Sequence, residues 1–193
     1  MNITLATSNP HKVVEMNEIN TSPEITFVSV PEGFDPIENG KTFEENAIIK
    51  AKEAAKISGN YSLADDSGLM IEALNGAPGL YSARYAASAK ERIARVLKEL
   101  KDCKNRKAKF VCSTVLVSPE GEILFKSLGE MHGEIAFEPA GTEGFGYDPI
   151  FYLPEYGKTV AELDNSLKNK ISHRAKSLVP MLNFIEQKGF AKN

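Results

Sequence analysis

The sequence predicts a mixed α/β fold, and three observations carry the prediction. Short apolar and β-branched runs alternate with amphipathic stretches that open on capping residues. The run Phe110 to Val117 is nearly continuous in apolar and β-branched residues, as expected of a strand covered on both faces. Pro119-Glu120-Gly121 then turns it into Ile123 to Leu128, an antiparallel partner, so the sheet holds strands of both senses.

The chain opens as strand, tight turn and helix. Ile3, Leu5 and Ala6 form the strand, Asn9 suits an N-cap and Pro10 fits the first helical position. Ile25 to Val30 reads as a second strand, followed by an acidic loop from Pro31 to Gly40. Thr42-Phe43-Glu44-Glu45 is a capping box. The helix it opens buries Phe43, Ala47, Ala51 and Ala55 at a spacing of four, and Gly59 ends it. Tyr61 to Ala64 is a brief strand that runs into Asp65-Asp66-Ser67-Gly68. Ser88-Ala89-Lys90-Glu91 caps another helix, with Ile93, Val96, Leu97 and Leu100 inward. Beyond the two paired strands, Pro149 to Leu153 reads as a strand and Thr159 to Glu162 as a second capping box. A final helix runs from near Ser172 to about Gln187 with Pro180 inside it, where the ring should kink it.

Composition narrows the function classes. The chain has 193 residues, 42% apolar and 25% charged, which is enough for a hydrophobic core and excludes wholesale disorder. It reads as one domain over residues 1–193, without repeats or a Pro/Ser-rich linker. No apolar run approaches the ~20 residues that span a bilayer, and Met1-Asn2-Ile3-Thr4 does not read as a secretory leader. A net charge of −3 argues against coating a nucleic-acid polymer. Cys103 and Cys112 suit neither a disulfide framework nor a zinc site, so the expected setting is the cytoplasm. Charge is nonetheless uneven: residues 84–109 hold ten basic and three acidic residues, and residues 130–155 hold six acidic and no Lys or Arg.

Five constellations could carry chemistry. Thr7-Ser8-Asn9-Pro10-His11-Lys12 combines hydroxyls, a helix N-terminus and a lysine one turn in, the parts of a phosphate site or of an ordinary N-cap. Asp65 and Asp66, adjacent at the end of a strand, repel each other unless a cation offsets them, and Mg²⁺ with substrate phosphate would do so. Glu38 and Glu45 are candidates for the same cation, although Glu45 already serves a capping box. The glycines of Gly144-Phe145-Gly146-Tyr147-Asp148 allow backbone to approach a flat ligand, and an aromatic face can stack on a base. Ser172-His173-Arg174 opens the last helix with donors for an anion or carbonyl, and Lys168 lies just upstream. Together these describe a nucleoside triphosphate with Mg²⁺.

In order along the chain stand Thr7-Ser8-Asn9 with Lys12, Thr42-Phe43 with Glu45-Asn46-Ala47, and Asp65-Asp66-Ser67-Gly68-Leu69. Pro78-Gly79 with Tyr81-Ser82-Ala83-Arg84, Gly144-Phe145-Gly146-Tyr147-Asp148-Pro149-Ile150-Phe151 and Ser172-His173-Arg174 follow. In these six motifs the chain resembles the inosine triphosphate pyrophosphatase family from end to end. The resemblance implies an elongated, two-lobed mixed β-sheet flanked by helices, with a nucleotide cleft between the lobes and usually a homodimer. It implies Mg²⁺-dependent hydrolysis of inosine, deoxyinosine and xanthosine triphosphates (ITP, dITP and XTP) to monophosphate and pyrophosphate. By the same resemblance, the segment Thr7 to Lys12 (Thr7, Ser8, Asn9, Pro10, His11, Lys12) holds the phosphates and Lys168 joins it. Asp66 is the general base and, with Glu38, positions the metal. Ser67, Phe145, Gly146, Tyr147, Asp148, His173 and Arg174 form the nucleoside pocket, with Arg174 and His173 donating to the purine 6-keto oxygen. Two other readings stay open at this stage: a pyrophosphatase for pyrimidine or methylated triphosphates, and a non-catalytic nucleotide sensor.

Overall fold

The computed structural model describes residues 1–188. Seven strands form one sheet in the order β2-β1-β3-β4-β5-β6-β7. They are β1 (Asn2–Leu5), β2 (Thr26–Ser29), β3 (Ser62–Ile71), β4 (Lys107–Val117), β5 (Ile123–Ile135), β6 (Phe151–Leu153) and β7 (Lys158–Thr159). Among the described residues five α-helices accompany them: α1 (Pro10–Ile19), α2 (Phe43–Ser58), α3 (Ala89–Glu99), α4 (Asn165–Ile171) and α5 (His173–Lys188). β1 runs parallel to both β2 and β3, whereas β6 is antiparallel to β5 and β7. The five residues between neighbouring β4 and β5 are too few for a crossover, so that pair is a hairpin. The expected mixed α/β class is the observed one.

Packing divides the chain into two units. Among the described residues, the first holds 1–66, 112–129 and 173–188; the second holds 67–111 and 130–172. In the first unit, period-two alternation sends neighbouring strand residues to opposite faces of the sheet. Leu63 and Leu116 join Ile3, Leu5, Met16, Leu178 and Ile185 in one core, against α1 and α5. Ala64, Val115 and Val117 join Ala6 and the alanines of α2 in another. In the second unit, α3 delivers Val96 and Leu100 to a core with Leu69, Ile71, Phe110, Ile150 and Phe151, where the Phe110 and Phe151 rings stack at 4.3 Å.

Local caps match their expectations. Asn9 accepts from the His11 N–H, Thr42 from Glu45 and Ser88 from Glu91, each at the start of its helix. Gly59 closes α2 in the left-handed conformation, with φ of 67°.

Five segments differ from their expectations. β3 continues through Asp65-Asp66-Ser67-Gly68 to Ile71 instead of ending at Ala64, so the two carboxylates sit in mid-strand. β4 and β5 are longer than the apolar runs that announce them, because backbone pairing extends into polar sequence. Residues 148–150 form a short 3₁₀ turn, and only Phe151–Leu153 is strand. α4, capped by Asp164 on the Leu167 N–H, was not anticipated; Ser172 is its C-cap and immediately precedes α5. Pro180 does lie inside α5. It and Lys176, four residues earlier on the helix, are both exposed.

The α2 contact tolerates no bulk, since Ala47, Ala51, Ala54 and Ala55 are all fully buried. Replacing Ala51 with Leu should cost about 1–3 kcal/mol by overpacking. Urea denaturation at neutral pH checks this; a midpoint equal to the parent's would show that α2 stands off its neighbours.

Candidate functional site

Helix α1 begins with its donors organised. The Thr7 hydroxyl accepts from the Asn9 N–H at 3.1 Å, and Asn9 Oδ1 accepts from the His11 N–H at 3.0 Å. Pro10 occupies the first turn, where an N–H would have no helical partner. Ser8 and His11 are exposed, and Lys12 turns toward β3.

Adjacent residues of a strand face opposite ways, and β3 uses this to separate two negative charges. Asp65 shares its face with Leu63 and meets α1 and α5. Its Oδ1 accepts from Lys12 Nζ at 3.1 Å, while its Oδ2 accepts from Arg174 Nε at 3.3 Å and Nη2 at 3.1 Å. Arg174 Nη1 also donates to Glu15 of α1. The Asp65 side chain is wholly buried and Arg174 is 2% exposed. Burial alone would raise the Asp65 pKa, but Lys12, Arg174 and Lys50 outweigh it and hold the carboxyl far below the usual carboxylate range. The same pairing keeps Arg174 above its ordinary value against the opposing effect of burial.

Asp66 faces the other way, with Ala64, toward α2. Lys50 Nζ lies 3.1 Å from Asp66 Oδ1 and 3.3 Å from Glu38 Oε2, so one ammonium gathers two carboxylates. Burial raises the Asp66 pKa more than Lys50 and Lys12 lower it, and Glu38 adds to the rise. Burial works against the charge on Lys50, yet Asp66, Asp65 and Glu38 together raise its pKa. The result is a carboxylate more basic than an ordinary aspartate, steadied by a permanently protonated lysine. Glu45 is not part of this group. Its carboxylate accepts from the Lys41 N–H at 2.6 Å, so it caps α2.

In the second unit, Asp148 organises the glycine-rich loop. Its Oδ2 accepts from the Phe145 N–H at 3.0 Å and from Lys168 Nζ, on α4, at 2.8 Å. The Lys168 ammonium lies 5.0 Å from the centre of the Phe145 ring. Gly144 adopts φ of 73°, and a Cβ there would collide with the Asp148 carboxylate, so only glycine fits. Tyr147 is buried and donates its hydroxyl to the Ser82 carbonyl at 2.7 Å; Ser82 Oγ in turn accepts from the Leu69 N–H. Burial pushes the Tyr147 phenol up to about 12, so it remains a donor.

The sequence model of the Ham1 family matches residues 3–184. The chain belongs to the Ham1 family. It is 48% identical over 180 residues to the dITP/XTP pyrophosphatase of Nostoc sp. (strain PCC 7120 / SAG 25.82 / UTEX 2576), covering 92% of this chain and 91% of that one. The solved HAM1 protein of Coxiella burnetii superposes with a TM-score of 0.87 at 46% identity, over 97% of this chain and 99% of that one. The Ham1 protein of Staphylococcus aureus gives the same TM-score at 40% identity, over 97% and 100%.

Within this Ham1 chain, the first unit brings together Lys12, Asp66 and Glu38 from the expected set, with Asp65, Lys50 and Glu15 added. Lys50 and Glu15 escape sequence reasoning because a helical Lys or Glu ordinarily reads as a solvated face; their only signal is a place beside buried residues, Ala47 and Ala51 for Lys50 and Met16 for Glu15. Two expected residues take other partners. Lys168, expected at the phosphates, has its ammonium on Asp148, and Arg174, expected to read the base, directs Nε, Nη1 and Nη2 at carboxylates. His173 is the buried first residue of α5, and Ser67 and Gly146 are partly exposed. Glu38 and Asp66 converge on one cationic point, a donor set that fits a hydrated Mg²⁺ shared with phosphates. Among the described residues no group of three His, Cys, Asp or Glu forms a closed metal cage.

The depressed pKa of Asp65 gives stability that is fully present above the ordinary aspartate range and is lost as pH falls below it toward the folded-state value. At pH 7 the parent should therefore be more stable than Asp65→Asn. The gap should narrow by about 1 kcal/mol between pH 5 and pH 3. Denaturant titrations of both proteins at each pH test the sign; a constant gap would mean that Asp65 is not ionised in the fold.

Proposed function

We propose that this Ham1-family chain is a hydrolase of deaminated purine nucleoside triphosphates, converting ITP, dITP and XTP to monophosphate and pyrophosphate. The observation that carries the reading is the Lys50–Asp66–Glu38 cluster, a basic carboxylate held by a lysine, in a chain nearly half identical to a dITP/XTP pyrophosphatase. A single family model over residues 3–184 supports treating residues 1–193 as one pyrophosphatase domain.

Hydrolysis between the α and β phosphates needs a deprotonated water and a stabilised leaving group. Asp66 accepts the water's proton, a role worth about 10²–10⁴-fold in typical enzymes. Lys50 fixes the orientation of Asp66 and keeps positive charge beside it. The segment Thr7, Ser8, Asn9, Pro10 and His11 binds the phosphates through its hydroxyls and the positive end of α1, where Pro10 itself has no N–H to donate. Lys12, anchored by Asp65, stabilises the departing pyrophosphate. Mg²⁺, held by Glu38 and Asp66, would supply neutralisation of the triphosphate charge.

Phe145 offers a ring face for the base, and Gly146 and Ser67 allow close approach. Asp148, Lys168 and Tyr147 act by shaping the loop that carries Phe145. His173 keeps the base-contacting role that the motif implies, while the structure favours Arg174 as the anchor of Asp65 and Glu15. Two free cysteines accord with a reducing cytoplasm, and among the described residues no helix is long and apolar enough to cross a membrane. The working assembly proposed is a homodimer, with no nucleic-acid polymer and no membrane as partner.

Pyrophosphate release from a panel of ITP, dITP, XTP, GTP, ATP, CTP and dUTP with Mg²⁺ tests the reading. Deaminated purines should turn over at least about tenfold faster than the rest. Fastest turnover of a pyrimidine triphosphate, or binding without turnover, would replace it. Asp66→Asn should lose about 10²-fold or more of kcat while still binding ITP; turnover close to the parent rate would remove Asp66 as the base.

A further inference from the structure

Three polar side chains behind Asp65 have no part in the chemistry described so far. Cys112 and Thr114 lie on β4, on the face they share with Leu116, and Ser177 lies one turn into α5 from Arg174. All three are fully buried. Around them stand Leu116, Ala175 and Leu178, so an apolar filling would have been the cheaper solution. Instead they form a chain of contacts: Thr114 Oγ1 to Ser177 Oγ at 2.7 Å, Ser177 Oγ to Cys112 Sγ at 3.1 Å, and Cys112 Sγ to Asp65 Oδ2 at 3.7 Å.

We propose that Cys112 is a positioning residue, whose S–H fixes the Asp65 carboxylate so that Asp65 in turn holds Lys12 at the phosphate-binding end of α1. The inference rests on the pyrophosphatase reading for what Lys12 does, and on geometry alone for how it is held.

The proton inventory gives the chain a direction. Asp65 is ion-paired with Lys12 and Arg174 at 3.1 Å each and meets both as an acceptor, so the Cys112 thiol is the donor between them. Burial, reinforced by the neighbouring Asp65 charge, pushes that thiol up to about 11 and keeps its proton in place. The sulfur can then accept from Ser177, and Ser177 from Thr114. Ser177 has one proton and three acceptors within 3.1 Å: Thr114 Oγ1, Cys112 Sγ and the Arg174 carbonyl. The thiol itself faces Asp65 Oδ2 at 3.7 Å and Thr114 Oγ1 at 3.8 Å, and the charged carboxylate oxygen is the stronger acceptor.

The two Arg174 contacts and the thiol all meet Oδ2, leaving Oδ1 for Lys12. Arg174 is a planar fork and sets the plane of the carboxylate. The thiol adds an anchor from β4, independent of both helices, and opposes rotation of the carboxyl group. Losing it leaves Lys12 attached to a carboxylate that can turn, which weakens a contact needed most as negative charge collects on the leaving group.

The test compares Cys112→Val, which has similar bulk and no donor, with Cys112→Ser, which keeps one. Both are assayed on whichever triphosphate the parent hydrolyses fastest, so the outcome does not depend on the substrate assignment. With folding verified by circular dichroism, Cys112→Val should lower kcat about tenfold with KM within about twofold. Cys112→Ser should recover most of it. In a Lys12→Ala background, Cys112→Val should cost no more than about twofold, because the group being positioned is gone. Unchanged kcat in Cys112→Val, equal losses in Val and Ser, or the full loss persisting without Lys12 would each overturn the proposal. Should Cys112→Val not fold, Ser177→Ala takes its place, with an expected loss of about threefold in kcat, and no loss overturns the proposal. The Lys12 side-chain nitrogen signal, read by NMR in lysine-labelled protein, gives an answer even if no triphosphate is hydrolysed. It should move in Cys112→Val and stay near the parent position in Cys112→Ser; no movement in either overturns the proposal.

Discussion

A fully buried carboxylate is the constraint on which the first unit turns. Asp65 carries a charge in a place without water, and such a charge persists only where cations and donors surround it. Lys12 comes from α1, Arg174 from α5 and Cys112 from β4, so neutralising one side chain fastens three elements to β3. Glu15 completes the balance by taking up the remaining side of Arg174. Helix α1, the proposed phosphate-binding element, is thereby held by electrostatics as well as by the apolar packing of Met16 and Ile19.

The second unit solves a related problem with fewer parts. Asp148 and Lys168 are both buried, and their pair sits beneath a loop that could not otherwise keep a fixed shape. Gly144 lets the backbone pass close enough for the Asp148 carboxylate to hold the Phe145 amide. The backbone beside the Phe145 ring is held by an ion pair, and the phenol of Tyr147 is spent on the Ser82 carbonyl, which leaves Phe145 as the loop aromatic proposed to meet the base.

Local chemistry was legible in the sequence, whereas long-range charge matching was not. Asn9, Thr42 and Ser88 cap the helices they announce, because a cap needs only its own next turn. The alanine spacing of α2 revealed its close packing for the same reason. Asp65-Asp66-Ser67-Gly68 read as a strand end, since those residues favour turns; pairing within the sheet overrode that preference. The motif resemblance located Lys12, Asp66, Glu38 and Arg174, but no spacing rule says that Arg174 is occupied by Asp65 and Glu15, or that Lys50 stands between Asp66 and Glu38. Those partners lie between 12 and 159 positions apart along the chain. α4 was missed because its seven residues are too few to show a helical period.

The mid-strand position of Asp65 and Asp66 makes the backbone of β3 an electrical partition. Each carboxylate makes its close contacts with its own cations, Lys12 and Arg174 for Asp65 and Lys50 for Asp66, while their charges still act across the strand. The partition is one residue thick. A single insertion between the two aspartates would turn both to the same face, strand one set of cations and place two negative charges together. A chain built this way can drift freely in its loops and helix surfaces, but the Asp-Asp dipeptide has no intermediate form through which to pass.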